Sequence, residues 1–130
     1  MVIKVNEDQF YSTYEDDIYN QNMPAILIFT KKDDPISEEL MTRLNVLSNK
    51  VKLLMIQCDI EECPTMTAEL VLQLDVFEHP VKNIQEHKSE LNELLPYIIL
   101  YEEGEIQEIF LGNEYQINTL ISQIEEMEEY

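Results

Sequence analysis

The sequence predicts an α/β domain in which helices flank a central mixed β-sheet. Two apolar runs, residues 24–29 and 51–58, show no alternation of polar and apolar residues, which is typical of strands covered on both faces. Stretches with apolar residues at helical spacing separate such runs. A polar turn at residues 102–105 contains Gly104 and lies between two further apolar runs, which indicates a hairpin. Strands that alternate with helices and end in a hairpin predict a mixed sheet.

The elements of the first half follow from local signals. Residues 2–5 predict a short strand, and Asn6 with Gln9 predicts a cap and a partial capping box for a helix that runs to about Tyr19. After the strand at 24–29, Asp34 and Pro35 predict a helix start, because the carboxylate can cap and proline is tolerated at the first helical position. An apolar stripe supports that helix: Leu40, Met41, Leu44, Val46 and Leu47.

The second half again predicts a strand followed by a helix, and it then ends in a hairpin and a last helix. The strand at 51–58 precedes a predicted helix from Pro64 to about Leu74. Residues 76–95 are less regular, and we predict a short helix after Pro80. The hairpin strands at 97–101 and 106–111 lead to a last helix at about 114–127, whose apolar residues share one face.

Length and charge exclude several classes of protein. A chain of 130 residues is enough for one domain with a real core. Eight Lys and Arg against twenty-seven Asp and Glu give a formal charge of −19, so a phosphate backbone or an anionic lipid surface would be repelled. The 45% of hydrophobic residues argues against disorder. We therefore predict a folded domain that binds neither nucleic acid nor membranes.

The cellular compartment is predicted from what the sequence does not contain. No apolar run approaches the roughly 20 residues of a membrane-spanning helix, and the acidic N-terminus lacks the features of a signal or transit peptide. Two cysteines, Cys58 and Cys63, do not form the framework of a secreted disulfide-rich domain. We expect a protein of the reducing cytoplasm.

Several stretches resemble the thioredoxin family across nearly the whole chain. The most specific is residues 95–105 with Gly112, which is similar to the family's cis-proline, strand, Gly-Glu turn and second strand. Residues 4–10 resemble the first strand and helix start, residues 25–29 the central strand, and residues 52–64 the third strand and its exit. The resemblance implies a thioredoxin-like fold, with residues 1–130 as a single domain and Pro96 as the cis-proline.

The same resemblance implies an insertion over about residues 76–93, before the cis-proline strand. An alternative alignment would make Pro80 the cis-proline, because residues 74–80 also resemble the approach to that residue. We reject it because residues 81–88 do not predict a strand, whereas Pro96 leads directly into one.

The position of the family's Cys-x-x-Cys motif holds no sulfur. In the resemblance, this motif aligns with Asp34, Pro35, Ile36 and Ser37, or with residues 33–36 if the alignment shifts by one. A carboxylate cannot form the mixed disulfide through which thiol exchange proceeds. The family's buried acid, which relays a proton to the second thiol, is replaced by Ile28. We therefore predict a redox-inactive member with degenerate active-site positions and no catalytic residues.

Two cysteines remain as candidate thiols. Cys58 lies within a predicted buried strand and is expected to be inert. Cys63 precedes Pro64 at a helix start, where an exposed thiol would have a lowered pKa, so it is the candidate reactive thiol. Cys58 and Cys63 with His79 and His87 depart from the spacing of structural zinc sites. We predict no metal and no cofactor.

The resemblance also implies a groove for an extended peptide. Carried over by position, it is formed by residues 33–36 together with Leu95, Pro96, Gly112 and Asn113. Backbone pairing at Pro96 and apolar contact with Ile36 and Leu95 would hold the peptide. The sequence does not decide whether Ile36 faces this groove or packs inward.

The function predicted from these observations is a non-catalytic protein-interaction or structural subunit of a larger assembly. Thioredoxin-like light chains of dynein motors and accessory subunits of large complexes are the comparisons that the resemblance offers, with the cytoplasm or a cilium as the place. The charge predicts a protein partner with a basic surface. Two alternatives remain: a thiol-dependent oxidoreductase or redox regulator acting through Cys63, and an acidic decoy that occupies a basic surface.

Overall fold

The computed structural model describes residues 2–20, 24–77 and 95–127. Within these ranges five strands form one sheet in the order β1-β3-β2-β4-β5. They are β1 (Ile3–Val5), β2 (Ala25–Thr30), β3 (Leu54–Asp59), β4 (Tyr97–Glu102) and β5 (Glu105–Phe110). Strands β1 and β2 run parallel to β3, and β4 runs antiparallel to β2 and β5. The predicted mixed sheet is confirmed.

The helices of the described residues are α1 (Glu7–Gln9), a π-helical segment (Phe10–Tyr14), α2 (Glu15–Asn20), α3 (Pro35–Ser48), α4 (Pro64–Phe77) and α5 (Glu114–Met127). None of them combines the length and the apolar character that crossing a bilayer requires. The predicted helix after Pro80 lies outside the described residues, as do His79, His87 and residues 78–93 of the insertion.

The first helix differs from its prediction in the middle. Its start is as expected, since the Asn6 side chain accepts a hydrogen bond from the Gln9 backbone N–H and the Gln9 side chain accepts one from the Asn6 N–H. The capping box is therefore complete. The next turn is a π-helix, in which the hydrogen bonds span one residue more. An apolar period near 3.6 does not distinguish such a turn from α-helix.

The core lies on both faces of the sheet. Every residue of β2 is buried, which agrees with the absence of alternation in its sequence. Leu27 and Phe29 pack into a cluster with Phe10 and with Leu70 of α4. On the opposite face the core is formed by apolar side chains from β2, α3 and α5: Ile26, Ile28, Leu40, Leu44, Leu120 and Ile124. Burial of each such side chain contributes about 2 kcal/mol.

The hairpin turn confirms the expected use of Gly104. Glu103 and Gly104 both have positive φ, 55° and 80°, as the two central residues of a tight hairpin with the twist of its strands require. The β5 strand then lies at one edge of the sheet and exposes its first four residues. Strand β1, at the opposite edge, has three residues.

Candidate functional site

The candidate site lies where β2 ends and β4 begins. Phe29 of β2 is paired with Tyr97 of β4, so the loop that follows β2 and the proline that precedes β4 are at the same edge of the sheet. Because α3 starts at Pro35, its N-terminus is also at this edge. The topology therefore brings residues 34–37, which the sequence predicted as degenerate active-site positions, and Pro96 to the same end of the molecule.

Asp34, the first of these predicted positions, caps helix α3. Its Oδ2 accepts hydrogen bonds from the Ser37 hydroxyl at 2.7 Å and from the Ser37 backbone N–H at 3.3 Å. Its backbone carbonyl accepts from Glu38 N–H at 3.0 Å. Asp33, just before it, has a φ of 61°, a conformation that a non-glycine residue seldom adopts. The Asp34 and Ser37 side chains therefore form the N-cap of α3. Neither of them contains a nucleophilic sulfur.

Ile36 is exposed, so it does not pack inward, which was one of the two alternatives that the sequence left open. Its side chain is 45% accessible and lies at one end of a cleft of about 390 Å³ between helices α3 and α5. Leu40 and Ile117 contribute buried apolar surface to this cleft. We call it the α3–α5 cleft, and its lining is Ile36, Glu39, Leu40, Arg43, Glu114, Ile117 and Asn118.

The charged groups of the α3–α5 cleft are mostly acidic. Glu39 and Glu114 are exposed, and no ion pair within the described residues neutralises either of them. Arg43, the one basic residue of the lining, donates a hydrogen bond from Nη1 to Asn118 Oδ1 at 3.2 Å and so links α3 to α5. The cleft therefore combines an apolar floor with negative charge on each helix.

The other predicted groove residues, Leu95, Pro96, Gly112 and Asn113, do not line the α3–α5 cleft. The Leu95–Pro96 peptide bond is cis, and Leu95 is 4% exposed, so its apolar surface belongs to the core. A Cβ on Gly112 would lie within 2.6 Å of Pro96 Cδ. Asn113 caps α5, because its Oδ1 accepts a hydrogen bond from Gln116 N–H at 2.9 Å. These residues fix the start of α5 against Pro96.

A second cleft of about 450 Å³ opens on the other side of the loop after β2. It is lined by three lysines and three carboxylates: Lys4, Lys31, Lys32, Asp33, Glu38 and Asp59. The buried wall is polar, and there Gln57 Nε2 donates to Thr30 Oγ1 at 3.0 Å. Opposite charges are mixed along this cleft, so it does not favour a ligand of one sign.

The residues of the α3–α5 cleft that the sequence did not reveal come mainly from α5. Ile36, Leu40 and Arg43 share a helical face, and this much could have been derived from their spacing. Nothing in the sequence shows that α3 and α5 are neighbours on one face of the sheet, so the contributions of Glu114, Ile117 and Asn118 were missed.

The two cysteines are buried and close together. Cys58 and Cys63 are both inaccessible to solvent and lie 4.1 Å apart. Burial raises the pKa of the Cys63 thiol to about 11, and the nearby carboxylates of Glu7, Glu62 and Asp59 add to the increase. Burial also raises the pKa of Cys58 strongly. The possibility that Cys63 is an exposed thiol with a lowered pKa is contradicted, because the residue is buried and its thiol donates to the Val5 carbonyl of β1.

Metal ligands do not converge within the described residues. No group of three or more His, Cys, Asp or Glu side chains there is arranged to hold a metal ion. His79 and His87, the other members of the four-residue set weighed from the sequence, lie outside those residues.

Comparison with solved structures shows a thioredoxin-like fold. A thioredoxin from Malassezia sympodialis has a TM-score of 0.60 at 11% identity, covering 95% of this chain and 90% of that one. A variant thioredoxin from Halobacterium salinarum gives 0.63 at 16% identity, with 99% and 92% coverage. Thioredoxin O2 from Arabidopsis thaliana, in its oxidized state, gives 0.63 at 14% identity, with 97% and 93% coverage. No protein-family model and no curated protein matches the sequence. The predicted fold class is confirmed.

Proposed function

We propose that this thioredoxin-like domain is a non-catalytic protein-interaction subunit that holds a basic and apolar segment of a partner protein in the α3–α5 cleft. The observation that carries the proposal is the hydrogen-bonded pair Asp34 and Ser37 at the start of α3, next to exposed Ile36. In this proposal the domain belongs to a larger intracellular assembly, in the cytoplasm or a cilium, and its partner has a basic surface.

The chemistry at the start of α3 supports a non-catalytic role. The carboxylate and hydroxyl that meet there have neither the nucleophilicity nor the redox couple of two thiols. Asp34 also accepts two hydrogen bonds from Ser37, so it is used as a structural cap. The site retains the geometry of the helix N-terminus and lacks the groups that react.

The surface beside it supports binding. An apolar floor takes an apolar side chain out of water, and carboxylates on both rims attract cationic groups over several ångströms. Tyr115, 80% exposed on α5 next to Glu114, adds aromatic surface of the kind that often anchors interfaces. A net charge of −19 speeds encounter with a basic partner at low salt.

The alternative of catalysis through Cys63 is the weaker proposal. A catalytic thiol must reach its substrate and be present as a thiolate, whereas the Cys63 sulfur is buried and its pKa is raised to about 11. Thiol catalysis at this residue would require a large local opening before each turnover.

The loss of dithiol chemistry at α3 can be tested by restoring it. The parent protein is expected not to accelerate the reduction of insulin disulfides by dithiothreitol. The double variant Asp34→Cys and Ser37→Cys places two sulfurs where the side chains now meet at 2.7 Å, at a helix N-terminus that favours a thiolate. We expect it to accelerate insulin precipitation at least about tenfold over the parent, because a thiolate and a resolving thiol are then present together.

The matched control is Asp34→Cys alone, which lacks the resolving thiol and should remain close to the parent. Acceleration by the parent itself would contradict the non-catalytic assignment. If the parent's activity disappeared in Cys63→Ser, the thiol-dependent alternative would replace it.

The binding surface can be tested with a random peptide library selected on the immobilised protein. We expect the selected peptides to combine Lys or Arg with a large apolar residue. Their affinity should fall at least about tenfold in Ile36→Glu, since the apolar contact is lost and the new carboxylate is desolvated against an apolar side chain, which together cost more than about 1.4 kcal/mol. Fluorescence anisotropy of one labelled selected peptide measures this change.

The control for Ile36→Glu is Val46→Glu, which makes the same chemical change at an exposed position of the same helix outside the cleft. It should bind the labelled peptide within about twofold of the parent. Equal losses in the two variants, or a selection that yields no basic residues, would contradict binding in the α3–α5 cleft.

A further inference from the structure

Cys58 and Cys63 meet across a turn that links the central sheet to helix α4. Cys58 is in β3, where it is paired with Val5 of β1 on one side and with Phe29 of β2 on the other. Cys63 immediately precedes Pro64, the first residue of α4. The two residues come within 4.1 Å of each other and share one buried cluster. The contact lies in the core, apart from the α3–α5 cleft.

The turn between them holds Cys63 over Cys58. The carbonyl of Asp59 accepts hydrogen bonds from Cys63 N–H at 3.0 Å and from Glu62 N–H at 3.1 Å. Its side-chain Oδ1 accepts one from Glu61 N–H at 2.8 Å. Because three bonds converge on Asp59, the folded chain holds the two sulfurs together instead of leaving them to meet by diffusion, and a reaction between them gains from this proximity.

The Cys63 thiol is also held by a hydrogen bond. It donates to the Val5 carbonyl, 3.6 Å from its sulfur, with Cys58 close beside it. Within the described residues, no basic side chain contacts either sulfur, whereas Glu7, Asp59 and Glu62 lie near Cys63. The pair is therefore kept as two neutral thiols in direct contact.

We propose that Cys58 and Cys63 are a redox-responsive dithiol that a small hydroperoxide closes to an intramolecular disulfide. In the first step the Cys63 thiol gives its proton to water, and the thiolate attacks one hydroperoxide oxygen. The O–O bond breaks, an alcohol or water leaves after taking up a proton, and Cys63 becomes a sulfenic acid.

In the second step the Cys58 sulfur attacks the Cys63 sulfur. The S–O bond breaks, and the departing hydroxide takes the Cys58 proton and leaves as water. The two thiols together lose two electrons and two protons, and the hydroperoxide takes up both to become an alcohol and water.

The choice of Cys63 as the first sulfur follows from its surroundings. Burial raises its pKa less than that of Cys58, and the neighbouring Cys58 thiol acts to lower it. Burial limits the oxidant to small molecules and keeps the thiolate fraction low at neutral pH. The response is therefore slow and becomes faster as the pH rises towards about 11.

Closure would change the contacts at the start of α4. The two residues lie 4.1 Å apart, a disulfide needs an S–S bond of about 2.0 Å, and the Cys63 thiol loses the proton that it donates to Val5. The same turn contains the bond from Thr67 N–H to the Cys63 carbonyl, 2.9 Å. Oxidation would therefore change the hydrogen bonds that connect the start of α4 to β1.

The test is mass spectrometry of the folded parent protein after exposure to hydrogen peroxide. The sample is quenched, unfolded in an alkylating reagent and digested. We expect a peptide in which Cys58 and Cys63 are joined, and neither sulfur should be alkylated until dithiothreitol is added. The disulfide should form faster at pH 9 than at pH 7. Amide exchange at Thr67 should change at least about threefold in the oxidised protein.

The matched variants are Cys58→Ala and Cys63→Ala, neither of which can form this disulfide. Their Thr67 exchange should not respond to peroxide. Three results would each overturn the proposal. They are two cysteines that stay fully alkylatable in the parent, a disulfide that forms only in urea, and disulfide-linked dimers in place of an internal bond. Peptide binding at the α3–α5 cleft is a separate measurement, so either proposal can fail without the other.

Discussion

Gly112→Ala is expected to destabilise the domain by about 3 kcal/mol or more, with a fall in Tm of roughly 10 °C. The new Cβ would lie on the carbonyl oxygen of Leu95 and within 2.6 Å of Pro96 Cδ. A flexible side chain could move away from such an overlap, whereas backbone and a proline ring can do so only if the connection between β5 and α5 moves as well. Thermal unfolding followed by circular dichroism measures the effect.

The control is Gly104→Ala, the same substitution at the chain's other glycine. That residue has a φ of 80°, so alanine there costs about 1 kcal/mol of backbone strain without meeting a neighbour. If both variants lost the same stability, the close packing of Gly112 against Leu95 and Pro96 would be refuted. Loss of peptide binding in Gly112→Ala is also expected, because this contact positions the start of α5.

Phe10→Ala is expected to cost about 3 to 5 kcal/mol of the free energy of unfolding. Phe10 is 1% exposed and is among the largest fully buried side chains, at the first position of the π-helical segment. It packs with Leu27, Phe29 and Met66, so its removal leaves a cavity between the N-terminal helices, the sheet and α4. Urea unfolding at constant pH gives the change directly.

Two comparisons sharpen this prediction. Tyr115→Ala removes an aromatic ring from an exposed helical position and should change stability by no more than about 0.5 kcal/mol. Phe10→Leu should recover most of the loss, because it refills the volume. A Phe10→Ala variant as stable as Tyr115→Ala would show that the N-terminal helices do not close over this face of the sheet.

Much of the fold was predictable because its signals are local. The unbroken apolar run of β2 indicated burial on both faces, and Asp34 with Pro35 marked the start of α3 to the residue. Gly104 marked the hairpin because the turn itself requires positive φ. In each case a few consecutive residues are enough to explain why that strand, helix start or turn forms.

The parts that sequence reasoning missed depend on distant neighbours. Gly112 is required by Leu95 and Pro96, sixteen or more residues earlier in the chain, and not by its own backbone angle. Exposure of Cys63 was open from the sequence, because its burial depends on β1, where the carbonyl of Val5, 58 residues earlier in the chain, accepts its hydrogen bond. The partners across the α3–α5 cleft depend in the same way on the order of helices over the sheet.

The edges of the sheet bear on how a partner can attach. An edge strand with free backbone groups invites another strand to pair with it, and proteins prevent this with short or charged edges. Among the described residues, β1 offers three residues, and β5 exposes Glu105 and Glu108 on its outer part. Extension of the sheet by an incoming chain is therefore disfavoured at either side, and a partner would dock as a side-chain ligand between helices rather than as a sixth strand.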